Sequence, residues 1–272
     1  MSLNKKAFQY ICNLVFKQAA IILSEDKEYL VETRLSPLAA KSGFGSVNDF
    51  IHSISKSPTE AIKQKITEAI TTNETSFFRD QYLFEEIRDS IIPEIIKNNE
   101  DSRGFKIWCA ASSTGQEPYS LAMLIDDSFP QLDGWDIEII ATDINCDVLS
   151  KAKSGIFSQI EVNRGLPARL LSKYFKKEGA FWMIDEGLKS RIQFSQINLA
   201  GRWGNLPIFD LVLMRNVLIY FNSDTKQEIL KKAKQHLKPQ GFLLLGTAES
   251  LVGLDVDLSK KKQGKVIYYA TN

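Results

Sequence analysis

At 272 residues, with 44% hydrophobic and 25% charged side chains, the chain has apolar surface enough for one large domain or a medium and a small one, and its composition excludes extended disorder. Lys and Arg number 34 against 33 Asp and Glu, so the net charge near +1 leaves a weak overall field and argues against bulk nucleic-acid binding. Three cysteines, Cys12, Cys109 and Cys146, lie far apart with no paired spacing, which excludes a disulfide framework or a thiolate metal cluster and fits a reducing, cytoplasmic setting.

Residues 1–72 have helical periodicity. Phe8, Ile11, Cys12, Val15 and Phe16 recur at three- and four-residue spacing, and Leu30, Leu35 and Leu38 follow. The opening stretch MSLNKKAFQYICNLVF is interrupted by Asn13, Lys17 and Gln18 and reads as an ordinary helix rather than a secretion signal. No run in the chain reaches the roughly 18 apolar residues that a membrane span needs, so no direct membrane insertion is expected. Residues 41–45, with two glycines, predict a turn; Ser57-Pro58 predicts a helix start, with Ile62, Ile66 and Ile70 on its buried face.

From about residue 105 apolar strands alternate with helical stretches: 105–111, 137–144, 209–216, 242–247 and 265–271. That alternation predicts a parallel sheet with crossover helices. A helix is predicted over residues 223–237, halted by Pro239 and Gly241. The last strand follows too closely for a crossover helix and is predicted to run antiparallel. Residues 174–194, in which Gly179 and Gly187 flank the stretch FWMID, predict a hairpin insertion.

Four segments carry polar groups where an open α/β sheet binds ligands. Residues 110–123, AASSTGQEPYSLAM, form a small-residue turn from strand to helix, where a ligand can approach free backbone N–H groups, or an ordinary connection. Asp143, 28 positions after Gly115, ends the second strand, where a carboxylate suits a ribose diol; capping of the next helix is the alternative. Residues 71–80, TTNETSFFRD, offer an amide, a hydroxyl, aromatic walls and a fixed cation, or a capped helix start. In residues 209–221 a strand runs into Arg215-Asn216, with Tyr220 one turn beyond; Arg215 pairing with a nearby acid and Tyr220 packing in the core is the plainer alternative.

Taken in order, TTNETSFFRD, WCAASSTGQEPYSLAM, ATDINCDVLSKAKSGIFS, FSQINL and FDLVLMRNVLIYFN resemble the CheR family of chemotaxis-receptor glutamate methyltransferases, and the resemblance covers the chain from residue 70 onward. It implies an α/β fold of the class I S-adenosylmethionine-dependent methyltransferases, with a Rossmann-like sheet. A helical N-terminal domain and linker (1–72) would precede a methyltransferase domain (73–272) with a small β insertion at about 174–195. Residue by residue it implies that Asn73 and Thr75 contact the methionyl end of S-adenosylmethionine, that Arg79 lies near the transferred methyl, and that Glu117 faces the cofactor. Asp143 would bind the ribose, Asn198 and Leu199 the adenine side; Arg215 and Asn216 would lie under the cofactor and Tyr220 near the substrate carboxylate.

The implied partners are cytoplasmic helices of methyl-accepting chemotaxis receptors, with S-adenosylhomocysteine as product, no metal, no nucleic acid and a monomeric enzyme. His52 and His236 lie outside the motifs, and no catalytic histidine is expected. Family members dock through a basic N-terminal face, yet residues 1–72 have only nine Lys/Arg against seven Asp/Glu. Some also bind a receptor's C-terminal peptide by strand addition to the hairpin. Residues 246–250 read GTAES where many relatives have a histidine after the glycine, a departure expected on the adenine side. Two other readings are a cofactor-binding sensor or scaffold without turnover, disfavoured by the presence of Arg79 and Tyr220, and a small-molecule or nucleic-acid methyltransferase.

Overall fold

The computed structural model describes residues 3–264 and 266–271. Four helices come first: α1 (Lys5–Ala19), α2 (Glu28–Lys41), α3 (Val47–Lys56) and α4 (Glu60–Ile70). Short polar side chains cap three of their N-termini: Asn4 accepts from the Lys6 N–H, Ser46 from Asp49 and Thr59 from Ile62. The fourth helix therefore starts just past the Ser57-Pro58 pair. Ile11, Leu35, Phe50 and Ile66 are buried where the four helices meet.

After the linker, α5 (Gln81–Glu86) and α6 (Ile92–Asn98) are joined by a π-helical turn. The large sheet is built from β1 (Gly104–Ala110), β2 (Asp136–Asp143), β6 (Ile192–Gln196), β7 (Phe209–Met214), β8 (Leu237–Leu245), β9 (Ser259–Gln263) and β10 (Val266–Ala270). A second, three-stranded sheet holds β3 (Ile156–Ser158), β4 (Phe175–Glu178) and β5 (Phe181–Ile184). The remaining helices are α7 (Gln116–Ser128), α8 (Cys146–Ser154), α9 (Gln159–Asn163), α10 (Ala168–Tyr174), α11 (Glu186–Lys189) and α12 (Ser223–Gln235).

The large sheet has the order β6-β2-β1-β7-β8-β10-β9, parallel from β6 to β8 and antiparallel at β10 and β9. From β1 the chain winds one way to β2 and β6, then the other way to β7 and β8. The crevice at the carboxyl ends of β1 and β7 is thus the topological switch point, where open α/β sheets bind ligands. Both faces are covered. Ile107, Cys109, Leu211 and Leu213 face α5–α7 and the small sheet, while Trp108, Val212 and Met214 face the side that the N-terminal helices close, so the strands read as unbroken apolar runs.

Three expectations need correction. Residues 192–194, assigned to the hairpin insertion, belong to β6, a strand of the large sheet paired in parallel with β2. The insertion proper is the β4–β5 hairpin, turned at Gly179 (φ +59) and widened by β3; Gly187 lies in α11 instead of flanking a strand. The predicted helix over 223–237 ends at Gln235, because β8 already starts at Leu237. Pro239 and Gly241 fall inside that strand, where the register with β7 shifts between Phe209 and Leu211, so a proline without an N–H is accommodated at an irregularity and is not a helix stop. The antiparallel last strand is as expected, though its predicted first residue, Lys265, lies outside the described residues.

Candidate active site

At the end of β1 the backbone turns through three left-handed positions, Ala111 (φ 58), Ser113 (φ 51) and Gly115 (φ 95), before α7 begins. A side chain at Gly115 would also crowd Ala152 Cβ, 3.0 Å away, which is why a glycine sits here. Asp143, at the end of β2, fastens this turn: one carboxylate oxygen accepts from the Ser113 N–H (2.9 Å) and the other from the Asn145 N–H (3.0 Å). Capping of α8 falls to Asn145, whose side chain accepts from Asp147 and Val148. The carboxylate of Asp143 is left at the mouth of the crevice, 6% exposed, and burial raises its pKa against the pull of those N–H donors.

Arg215, at the end of β7, is buried. Its guanidinium donates to Glu117 (2.6 Å), to Asp80 (2.5 Å) and to the Arg79 carbonyl (2.9 Å). The plainer reading of Arg215 as a partner of acids thus holds, and it brings Glu117, from the first turn of α7, to the same point as the 79–80 turn. Burial pushes the Glu117 carboxyl up and Arg215 only partly offsets it. Burial likewise works against the Arg215 cation, but the two carboxylates outweigh it and raise its pKa.

The segment 71–80 is a loop rather than a capped helix start; α5 begins only at Gln81. Phe77 anchors it, edge-on against Phe157 and Phe175 with centroids 5.1 and 5.7 Å away. The Phe78 N–H donates to Ser120 (2.9 Å), and the Ser113 hydroxyl donates to the Asn73 carbonyl (2.8 Å). Arg79 reaches only the Glu74 carbonyl, at 3.3 Å, and among the described residues it forms no ion pair.

Asn198 donates to the Gln18 carbonyl (2.7 Å) and accepts from the Ala200 N–H (3.0 Å), joining the end of β6 to α1. Tyr220 ends a 3-10 turn, Leu218–Tyr220, that follows the left-handed Asn216 (φ 57). It is half-buried at the rim, not in the core, and its carbonyl accepts from the Ile22 N–H (3.0 Å).

Asn73, Thr75, Arg79, Glu117, Asp143, Asn198, Leu199, Arg215, Asn216 and Tyr220 all border one cavity of about 200 Å³. The N-terminal region also borders it, through residues 21–24 of the connection between α1 and α2 together with Lys27 and Leu30. His52 and His236 do not border it; His236 contacts the Pro207 carbonyl at 3.1 Å. Ser112, whose buried hydroxyl has no partner among the described residues, and Ser113 were not singled out from sequence, since serines in a turn signal no particular role. Asp80 was missed too, because nothing local foretells that a residue at φ 62 will reach Arg215. The 246–250 segment, expected on the adenine side, instead sends Thr247 to the Tyr82 hydroxyl (3.1 Å) and to Asp80 (3.4 Å), beside the Arg215 cluster.

Comparison with known proteins bears on both regions. Residues 6–71 match the family model described as CheR methyltransferase, all-alpha domain, and residues 73–267 match CheR methyltransferase, SAM binding domain. The chemotaxis protein methyltransferase Cher2 of Pseudomonas putida is 38% identical over 259 residues, covering 93% of this chain and 94% of the relative. Chemotaxis protein methyltransferase 1 of Pseudomonas aeruginosa is 37% identical, with 93% of each chain covered. The chemotaxis protein methyltransferase of Salmonella typhimurium is 32% identical over 98% of this chain and 91% of its own. Among solved structures, the glycopeptide N-methyltransferase MtfA complexed with S-adenosylmethionine is a distant likeness, with 14% identity, a TM-score of 0.39 and 71% of this chain and 58% of that one covered. Matched by one family's models from residue 6 to residue 267, the chain belongs to the CheR methyltransferase family.

Proposed function

We propose that this protein transfers a methyl group from S-adenosylmethionine to glutamate side-chain carboxylates on the cytoplasmic helices of chemotaxis receptors, acting as a cytoplasmic monomer and leaving glutamate methyl esters and S-adenosylhomocysteine. The observation that carries the reading is the convergence of all ten positions on one cavity at the switch point of the sheet. The names of the chemotaxis methyltransferase relatives support the same direction.

The residues present fit the cofactor. Ser112 offers a buried hydroxyl with no partner among the described residues, Asp143 a carboxylate at the end of β2 for a ribose diol, and Asn73, Thr75 and Glu117 polar groups for the methionyl end. Asn198 and Leu199 would flank the adenine, with Arg215 and Asn216 beneath. When bound, S-adenosylmethionine supplies an activated methyl on a sulfonium.

A solvent-exposed glutamate side chain titrates at about 4.3 and is already ionised at neutral pH, so no side chain has to remove a proton and no histidine is required. Work remains in orientation and the exclusion of water. Arg215 spends its charge on Glu117 and Asp80, whereas Arg79, on the same cavity, forms no ion pair among the described residues. Arg79 is accordingly the cation that would hold the incoming carboxylate in line, with the Tyr220 hydroxyl as second donor. Residues 21–24 border the same cavity, and charge is neutralised in the transfer, which a dry site favours.

The test is tritium transfer from labelled cofactor to a receptor cytoplasmic fragment, run beside RNA and free amino acids. Base-labile label on the receptor fragment alone is expected. Label only on RNA or on a small molecule would overturn the substrate assignment, and tight cofactor binding with no label anywhere would favour a sensor without turnover.

A further inference from the structure

Glu249 does not border the cavity, yet its carboxylate accepts from five backbone N–H groups. One oxygen takes Val217 (2.9 Å), Leu218 (2.7 Å) and Ile219 (3.3 Å). The other takes Asn216 (2.8 Å) and Gly246 (2.7 Å). An ordinary capping side chain satisfies one or two donors at the start of its own helix. Here a single carboxylate gathers the N–H groups of the turn after β7 and ties them to the end of the neighbouring strand β8.

The arrangement is close-fitting. A Cβ on Gly246 would lie 2.6 Å from the Glu249 carboxylate and 2.8 Å from the Asn216 nitrogen, so the two segments approach as they do only because residue 246 is glycine. The far end of the turn is held by the Ile22 N–H on the Tyr220 carbonyl (3.0 Å) and by buried Leu218, but at its start, where Asn216 is in the left-handed region, the N–H groups of residues 216–219 are taken by Glu249. That turn carries Asn216 at its start and Tyr220 at its end, both on the cavity wall.

We infer that Glu249 is a positioning residue for methyl transfer: by binding the N–H groups of residues 216–219 and 246 it fixes the turn whose far end aims Tyr220 into the cavity. The inference rests on the proposed role of Tyr220. Glu249 touches neither ligand nor reacting atoms in this account, and its effect passes through the turn.

Glu249→Gln turns one oxygen into an NH2 group that must face N–H donors, with little change in size. In the full chain, amide exchange of the 215–221 peptide should quicken at least about tenfold as the turn opens locally. Receptor-fragment methylation should lose roughly 30-fold or more in kcat, while affinity for S-adenosylhomocysteine stays within about threefold. In a Tyr220→Phe background the same substitution should cost little more, because both changes disable one device. Gly246→Ala keeps the carboxylate but forces the clamp apart; it should reproduce the pattern and serves if Glu249→Gln does not fold. Unchanged exchange, a kcat within twofold of wild type, affinity that falls in step with kcat, or full additivity with Tyr220→Phe would each overturn the inference. Failure of the wild-type protein to methylate the receptor fragment would instead strike the proposed function, and the exchange comparison would still decide whether the clamp exists.

Discussion

Arg79 and Arg215 border the same cavity and carry the same charge, and their surroundings give them different work. Arg215 is fixed by two carboxylates in a buried cluster, so replacing it strands Asp80 and Glu117 without a counter-charge. Arg215→Met should destabilise the fold by about 3–5 kcal/mol, read as a lowered urea midpoint, since breaking a buried pair costs more than the pair contributes. Arg79, which among the described residues reaches only a carbonyl, at 3.3 Å, has no such structural duty. Arg79→Ala should leave the urea midpoint near wild type and S-adenosylhomocysteine affinity within a few-fold, while lowering kcat about 100-fold or more. Asp143→Ala should do the opposite, weakening cofactor binding about 10- to 100-fold through loss of charged hydrogen bonds worth roughly 1.5–3 kcal/mol. Parallel losses of affinity in both variants would refute this division. That Arg79, Asp143 and Tyr220 would border one cavity was legible, because recognisable motifs carry them. Asp80 and Glu249 were not, because their roles depend on contacts with residues 135 and more than 30 positions away that no local pattern encodes.

At the scale of elements, the 71–80 loop is held by its neighbours. Gly165, between α9 and α10, has φ +88, and a Cβ there would fall 2.0 Å from the Phe77 carbonyl. Gly165→Ala should therefore displace the 71–80 loop and lower both stability and turnover, with the stability loss exceeding about 2 kcal/mol in denaturant titrations. The helix α10, which leads into the insertion, is moored to α7: Asp127 accepts from Arg169 and from Lys173 (3.0 Å), which draws its carboxyl down from 3.8 to about 2. A folded pKa below the unfolded one adds stability that is complete above about pH 4 and is lost as pH falls through about 2. Asp127→Asn should thus be less stable than wild type at neutral pH, with the gap closing between pH 4 and 2; a gap that persists at acid pH would contradict the assignment. Elements were legible where apolar runs and turn residues agreed, as for β1, β2 and β7. They were misread where a tertiary partner overrode local chemistry: β8 tolerates Pro239 at a register shift, and β6 completes the sheet although only two of the five residues in its sequence, IQFSQ, are apolar.

Across the whole molecule, one apolar cluster joins the N-terminal helices to a face of the large sheet, so the cavity lies between regions that share a core. The Ile22–Tyr220 and Gln18–Asn198 hydrogen bonds cross that seam beside the cavity. A ligand bound there touches both sides, and at 100 times its Kd it should stabilise the folded state by about 2.7 kcal/mol, seen as a rise in melting temperature. The parallel sheet with crossover helices and an antiparallel last strand could be expected from the alternation of strands and helices; the strand order, which includes β6 and β9, and the closing of the cavity by the N-terminal region could not, since periodicity shows only which faces are buried. Every assignment in the site presupposes that this cavity holds the cofactor, and calorimetric titration of S-adenosylmethionine and S-adenosylhomocysteine into ligand-free protein tests that most directly. Saturable binding near one to one, weakened by Asp143→Ala and spared by Arg79→Ala, is what a cofactor cavity here requires. Absence of binding to folded, ligand-free protein would contradict it.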